Sequence, residues 1–358
     1  MIDKNTFIKN FRSVHDNLPI GAVATSVGAT TLSNIFALRE LTFLKDIFMN
    51  MAAIVALFAL LKLFFYPKTV KKELELPVLA SVFPTFGMLI MILGNYYLKF
   101  SYTLGKTMWL FGIVIYSVIS IIAIYKHLIK NFNFNTFVPS FFIPFVGSLV
   151  ACVSSTGMNE TMLTKVIFYW GTTTYFFILP FMIYRLYKGD IEKQIYPTVV
   201  IMAAPPSLVI ISYLTVFTNY NRNFVGLMAV IVFSITLYSY VQIPKCLKEK
   251  FNAGFASLTF PLAATTLATF KISMYFLTVN ATLAHLFEGI GVVELFIATS
   301  VIGFVLYNLF NLLFQKLTMQ DAIVKSKKRN YYVISLFDYS KLIFGFNKMK
   351  FQEIIISF

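Results

Sequence analysis

Phe260 and Pro261 stand side by side within residues 255–276, FASLTFPLAATTLATFKISMYF, with Thr259, Thr265, Thr266 and Lys271 close by in the chain. Set in an apolar stretch with no base or metal-ligand pattern beside them, these residues point to passage and its control. Proline removes a backbone donor and clashes with the carbonyl four residues earlier, so a helix here should kink near Phe260. A planar ring at a kink can block a narrow pore and swing aside by a rotamer change, and hydrophobic constrictions also gate by dewetting. The hydroxyls of Thr259, Thr265 and Thr266 can donate hydrogen bonds to an anion. Against this stands plain packing in a bundle core, the use most of the 40 phenylalanines must have. Phe83, directly before Pro84, is the rival gate. Lys271 also has two readings, because a charge at membrane depth faces protein or water. It either pairs with Glu294, at similar depth in a later segment, or draws anions toward an outer vestibule.

Catalysis has little to stand on. His15, His127 and His285 lie far apart, and no HExxH, GxSxG, phosphate loop or Cys/His ligand cluster occurs. Cys152 and Cys246 match no metal or redox spacing and read as structural. No enzyme, cofactor or metal is expected, and without a nucleotide-binding domain neither is primary pumping.

The stretch at 255–276 is long enough to cross a bilayer, which takes about 20 residues at 1.5 Å of rise each. The whole chain is built this way. Its 358 residues are 58% hydrophobic and 13% charged, with a mean hydropathy of +0.76; soluble domains carry about 25% charged residues. Ten apolar segments fall at about 18–36, 46–66, 78–98, 107–125, 138–158, 163–186, 197–218, 224–242, 255–278 and 289–315. The net charge of +15 would suggest nucleic acid in a soluble protein. Here it reads as a topology signal, and no nucleic-acid partner is expected. The N-terminus, the loops after even-numbered segments and the C-terminal tail hold 23 of the 30 Lys and Arg residues. By the positive-inside rule that predicts ten spans with both termini cytoplasmic, in the cell inner or plasma membrane. Residues 1–17 are polar, with no small-residue cleavage site after them, and read as a cytoplasmic segment rather than a cleaved signal. Residues 18–316 form the ten-span domain. Residues 317–358 make a basic, aromatic tail that is either disordered or laid on the anionic inner leaflet.

Odd and even segments differ in kind. Of 12 prolines, eight lie in odd segments, and only Pro180 lies within an even one. Even segments are rich in large apolar residues and suit lipid contact; odd ones mix in Gly, Ala, Ser and Thr, which let backbones approach closely. Pro19, Pro84, Pro144, Pro206 and Pro261 recur at intervals of 65, 60, 62 and 55 residues, and Gly21, Gly87 and Gly147 follow the first three. A repeat of this kind is a fold-level signal. It predicts five helical hairpins in quasi-five-fold arrangement, with the kinked odd helices as an inner pore ring.

At this point YPTVVIMAAPPSLVIISYL in segment seven, SLTFPLAATTLATFKIS in segment nine and NLPIGAVATSVGATTLS in segment one resemble the tellurite-resistance/dicarboxylate transporter family. That family includes bacterial TehA and the plant slow-type guard-cell anion channels. The resemblance covers roughly residues 15–315. It implies a homotrimer with one pore per subunit, lined by segments one, three, five, seven and nine. It also implies a phenylalanine plug from segment nine at the position of Phe260. The anions of the family are chloride, nitrate, malate and other dicarboxylates, sulfite and tellurite-related species. The expectation is thus an all-α, ten-span channel or transporter for small anions, gated by Phe260. Anion preference is not explained by any ring of arginines; a basic rim that concentrates anions is one source. A proton-coupled dicarboxylate, sulfite or tellurite carrier is the alternative within transport, and a non-transporting receptor or assembly subunit the alternative outside it.

Overall fold

Proline and glycine decide where the helices of this chain break, and the breaks fall in the odd segments. The computed structural model describes the backbone of residues 18–344 and the side chains of residues 18–312. Residues 15–309 form one compact unit. Segment one is the helix Ile20–Leu38; Pro19 lies just before it in extended backbone, so it starts the described helix instead of kinking it. Segment two is an unbroken helix, Thr42–Phe65. Segment three is Pro77–Val82 and Thr85–Tyr97, parted at Phe83 and Pro84. Segment four runs Tyr102–Ile124 and ends in a π turn, Tyr125–Lys130. Segment six is Thr161–Lys188. Segment eight is Arg222–Leu247, longer than expected, which puts Pro244 inside an even helix beside Pro180 in segment six.

Segments seven and nine change winding where their prolines fall. In segment seven the 3₁₀ stretch Tyr196–Ala203 leads into the α-helix Ala204–Val216, which opens on Pro205 and Pro206. In segment nine Ala253–Leu258 is 3₁₀ and Thr259–Phe276 is α-helical, with Pro261 in the first turn. A proline there loses no hydrogen bond, because first-turn donors have no partner inside the helix. The expected kink is thus a change of helix type just before Phe260. Segment ten lies in the helix Ala281–Phe344. The expectations for residues 1–17 and for the tail's membrane association fall outside the described residues and side chains.

Nine helices among the described residues are long and apolar enough to cross a membrane. Segment five is not one of them. Pro139, Pro144 and a turn at Gly147 and Ser148 cut it into the pieces Pro139–Phe141, Phe142–Val146 and Leu149–Val153. Broken backbone survives in a membrane only where protein satisfies the freed carbonyls. Tyr116 Oη donates to the Ile143 carbonyl at 2.8 Å, Trp109 Nε1 to Ala151 at 3.2 Å, and Ser212 Oγ to Leu149 at 3.2 Å. Trp109 and Tyr116 lie seven residues apart, two turns up one face of segment four. Glycines bring that helix in close against segment three. A Cβ on Gly94 would sit 2.6 Å from the Trp109 nitrogen, and one on Gly87 2.5 Å from that of Tyr116. Gly87 therefore serves contact between segments three and four.

Burial separates the two kinds of segment as the composition does. The apolar windows of segments one, three and nine are 78% buried and that of seven 83%; those of two, four and six are 28% buried, and of eight and ten 33%. Several buried hydroxyls in the odd helices turn back on their own backbone. Ser26 donates to Ala22, Thr30 to Ser26 and Thr31 to Val27. This habit lets polar side chains sit in a dry interior without an unmet hydrogen bond.

Candidate functional site

A cavity of about 960 Å³ is walled by all five odd segments. Gly21 and Ala24 come from segment one, Thr85 and Met88 from three, Val146 and Gly147 from five, Pro205 and Leu208 from seven, Phe260 and Pro261 from nine. No residue of the helices of segments two, four, six, eight or ten, as far as described, is in that wall. At one end the lining comes from the loops that precede segments three, five, seven and nine: Leu76, Asn135, Gln194 and Asn252. The rest of the wall comes from residues farther along the five odd segments, Phe260 among them. A wall made by five segments so far apart in the chain is a site that only folding assembles.

Phe260 is partly buried and packs against the apolar core. Its backbone rests directly on segment one. A Cβ on Gly28 would lie 2.7 Å from the Phe260 nitrogen and from the Thr259 carbonyl carbon. Thr259 Oγ1 also reaches the Ala24 carbonyl at 3.5 Å. Gly28 thus lets segment one position the phenylalanine by contact; it was missed in the sequence because no spacing distinguishes it from the other glycines of that helix. Gly21 allows a similar close approach two turns away, where a Cβ would lie 2.7 Å from the Ala253 carbonyl oxygen.

The other expected site residues separate into two groups. Pro19, Pro261, Gly21 and Gly147 are in the cavity wall, whereas Pro84, Pro144, Pro206 and Gly87 are not. Phe83 is 5% exposed and lines a second, small pocket with Lys62, Glu73 and Phe86. Thr259, Thr265 and Thr266 are fully buried, outside the cavity wall, and donate to backbone carbonyls of Ala256, Leu262 and Leu262 respectively. Lys271 is half-buried, and among the described residues no ion pair joins it to Glu294. Glu294 is 3% exposed, lies by the Thr269 hydroxyl, and leaves one carboxyl oxygen without a partner. The expected pair is not formed, and the two groups differ in burial: Lys271 is half-buried, whereas Glu294 is enclosed beside Thr269.

The charges in the cavity wall are Glu73, Glu192 and Glu249 with Lys193 and Lys250. Three side chains stand just behind its loop end. Lys62 Nζ donates to the Leu18 carbonyl at 2.8 Å and pairs with Glu73 at 2.7 Å. His127 Nε2 donates to Leu74 at 2.9 Å. Arg185 donates to the carbonyls of Phe134, Asn135, Gly189 and Asp190 at 2.7–3.3 Å. A signal for them existed in the chain: Lys62, His127 and Arg185 are 65 and 58 residues apart, close to the 65 and 60 that separate Pro19, Pro84 and Pro144. No group of three or more His, Cys, Asp or Glu side chains that could hold a metal occurs among the described residues, and both cysteines are free and buried.

An all-α, multi-pass membrane protein whose alternate segments enclose one cavity is a channel or transporter. The family model for the voltage-dependent anion channels (SLAC1) matches residues 17–311, and the chain belongs to that family. It is a membrane-embedded anion channel or transporter and not an enzyme. It is also similar to the uncharacterized transporter MJ0762 of Methanocaldococcus jannaschii, with 28% identity over 235 residues, 60% of this chain and 67% of that protein.

Proposed function

We propose that the cavity is the inner half of an anion pore, lined by segments one, three, five, seven and nine and closed at its deep end by Phe260. In this reading the broken segment five is the tenth span, the ten segments form five hairpins about the pore, and three copies assemble as a homotrimer. The loop end of the cavity and both termini face the cytoplasm. One observation carries the proposal: the five segments with recurring prolines are the five that wall the cavity, and Phe260 is in that wall while Phe83 is not. A ring at a change of helix type can turn aside without unwinding the helix that carries it. The passing species is a small inorganic or organic anion.

The test is anion current across planar bilayers holding the purified full chain, wild type against Phe260→Ala. Expected is a low wild-type current that rises at least tenfold in the variant, with a reversal potential set by the anion gradient. A pair of silent proteins that still take up dicarboxylate when a pH gradient is imposed would replace this reading with a proton-coupled carrier. Glu294 is the observation that favours that second reading, since a buried carboxyl with an unpartnered oxygen in a membrane segment is the kind of group a proton relay uses. Glu294→Gln would then abolish uptake. Absence of any transport, with an anion still bound, would favour a receptor or assembly subunit.

A further inference from the structure

The wall of the proposed pore presents a difficulty for an anion. Its ionisable side chains are three glutamates and two lysines, so its own lining offers an anion no attraction. The hydroxyls of Thr259, Thr265 and Thr266 do not relieve this, because each is spent on a backbone carbonyl. The compensating charge lies one layer back. Lys62 offsets Glu73 through a partly buried ion pair, which leaves the wall without net charge. Arg185 is different in kind. It is 1% exposed, its guanidinium bonds four backbone carbonyls and sits 5.0 Å from the Phe134 ring centroid, and it makes no ion pair among the described residues. Carbonyl dipoles and a ring quadrupole solvate a cation, but they do not cancel its net charge. An arginine keeps that charge at any pH a protein meets. Buried in a medium of low effective dielectric, it acts over a longer range than a surface lysine screened by water and salt.

Its place relative to the cavity is direct. One of the carbonyls it holds belongs to Asn135, and Asn135 is part of the cavity wall. The position also recurs. Lys62 follows Pro19 by 43 residues, His127 follows Pro84 by 43, Arg185 follows Pro144 by 41, and Phe304 follows Pro261 by 43. In the first three cases the side chain leaves the end of an even helix and holds backbone at the start of, or just before, the odd segment preceding that helix. Phe304 makes the corresponding contact with its ring, against Phe251 and Phe255. The remaining hairpin has a tie outside this register, from Tyr196 Oη to Gln242 at 2.7 Å. A latch needs only a hydrogen bond or an apolar contact, as Phe304 and Gln242 show. A buried cation with no counter-charge is more than a latch requires, and leaving a charge unpaired in the interior is costly.

We infer that Arg185 is a specificity-determining residue of this pathway: from behind a wall whose own charges cancel once Lys62 is counted, it makes the potential at the loop end of the cavity positive and so admits anions. The assignment rests on the cavity being the anion route, but the field it describes exists whether or not ions pass Phe260. The test therefore reads potential without flux. Ser257 lines the cavity, and the two native cysteines are buried. Ser257→Cys in the detergent-solubilised full chain is labelled by an anionic and by a cationic methanethiosulfonate reagent, and the ratio of the two rates is compared among variants. Arg185→Met should lower the anionic-to-cationic ratio by about threefold or more, as expected for loss of one unit charge at this range. Arg185→Lys keeps the charge, though not the fork of hydrogen bonds, and should hold the ratio within about twofold. Arg185→Gln removes the charge but keeps a side-chain donor for the carbonyls that Arg185 holds, and should lower the ratio as Arg185→Met does. That variant carries the test if Arg185→Met does not fold. An unchanged ratio in a folded Arg185→Met or Arg185→Gln would leave Arg185 as a structural tie and overturn the assignment. A silent Phe260→Ala in bilayers would overturn the channel reading and not this one.

Discussion

The same dipeptide, Phe-Pro, occurs in segments three and nine and meets opposite surroundings. Phe260 is partly buried in the wall of the large cavity; Phe83 is enclosed, facing Lys62, Glu73 and Phe86 in a pocket shared with segments one and two. The proline is not what separates them. In segment three it stands between two α-helices, so Phe83 ends one helix and its direction is set by that helix's phase. In segment nine a 3₁₀ stretch precedes it, and Phe260 is the second residue of a new α-helix. Because 3₁₀ and α winding turn by different angles per residue, a few residues of 3₁₀ re-aim everything after them. A break in a helix therefore places a side chain only together with the winding on both sides of it.

The comparison breaks most readily in transport. Phe260→Ala should raise anion current tenfold or more, and Phe83→Ala should leave the current per folded protein within about twofold of wild type; a large rise in both would make the two phenylalanines joint parts of one gate. Stability should run the other way. Phe83→Ala empties an enclosed site and should cost about 3–5 kcal/mol, read as a lowered unfolding midpoint in detergent, against about 1 kcal/mol for the partly exposed Phe260. Gly28→Ala tests whether segment one positions Phe260. Its new methyl collides with backbone, so the expected cost is about 1–3 kcal/mol, with a change in closed-state current that no substitution at Gly226, where a Cβ meets nothing within 4 Å, should reproduce. The smallest effect belongs to Thr265→Val. A hydroxyl bonded to its own helix should be worth about 1 kcal/mol or less, and anion selectivity should not move; a shifted reversal potential would mean that this threonine turns toward the passing ion.

Much of the plan is legible in the chain. Membrane insertion follows from hydropathy alone, and the contrast between buried odd and exposed even segments follows from which of them carry Gly, Ser, Thr and Pro. Both are one-dimensional properties: a residue that tolerates lipid or close packing does so wherever its helix stands. Segment lengths were less well read, since the extension of segment eight past Pro244 depends on a helix tolerating proline near its end.

What the tertiary structure alone decided is where side chains point and what lies across from them. Lys271 and Glu294 carry opposite charges at similar depth by sequence, yet no ion pair joins them among the described residues, and only Glu294 is enclosed. Segment five reads as a span like the others and is three short pieces, held by Trp109, Tyr116 and Ser212 from segments four and seven. Arg185 counts as one more basic residue at the end of an even segment until the fold buries it among four carbonyls, with no ion pair to any described residue. Composition is carried by each residue separately, so the chain determines it without folding. Direction, burial of charge and the wall of a cavity are relations among residues tens to hundreds of positions apart, and these come into being only when the helices pack.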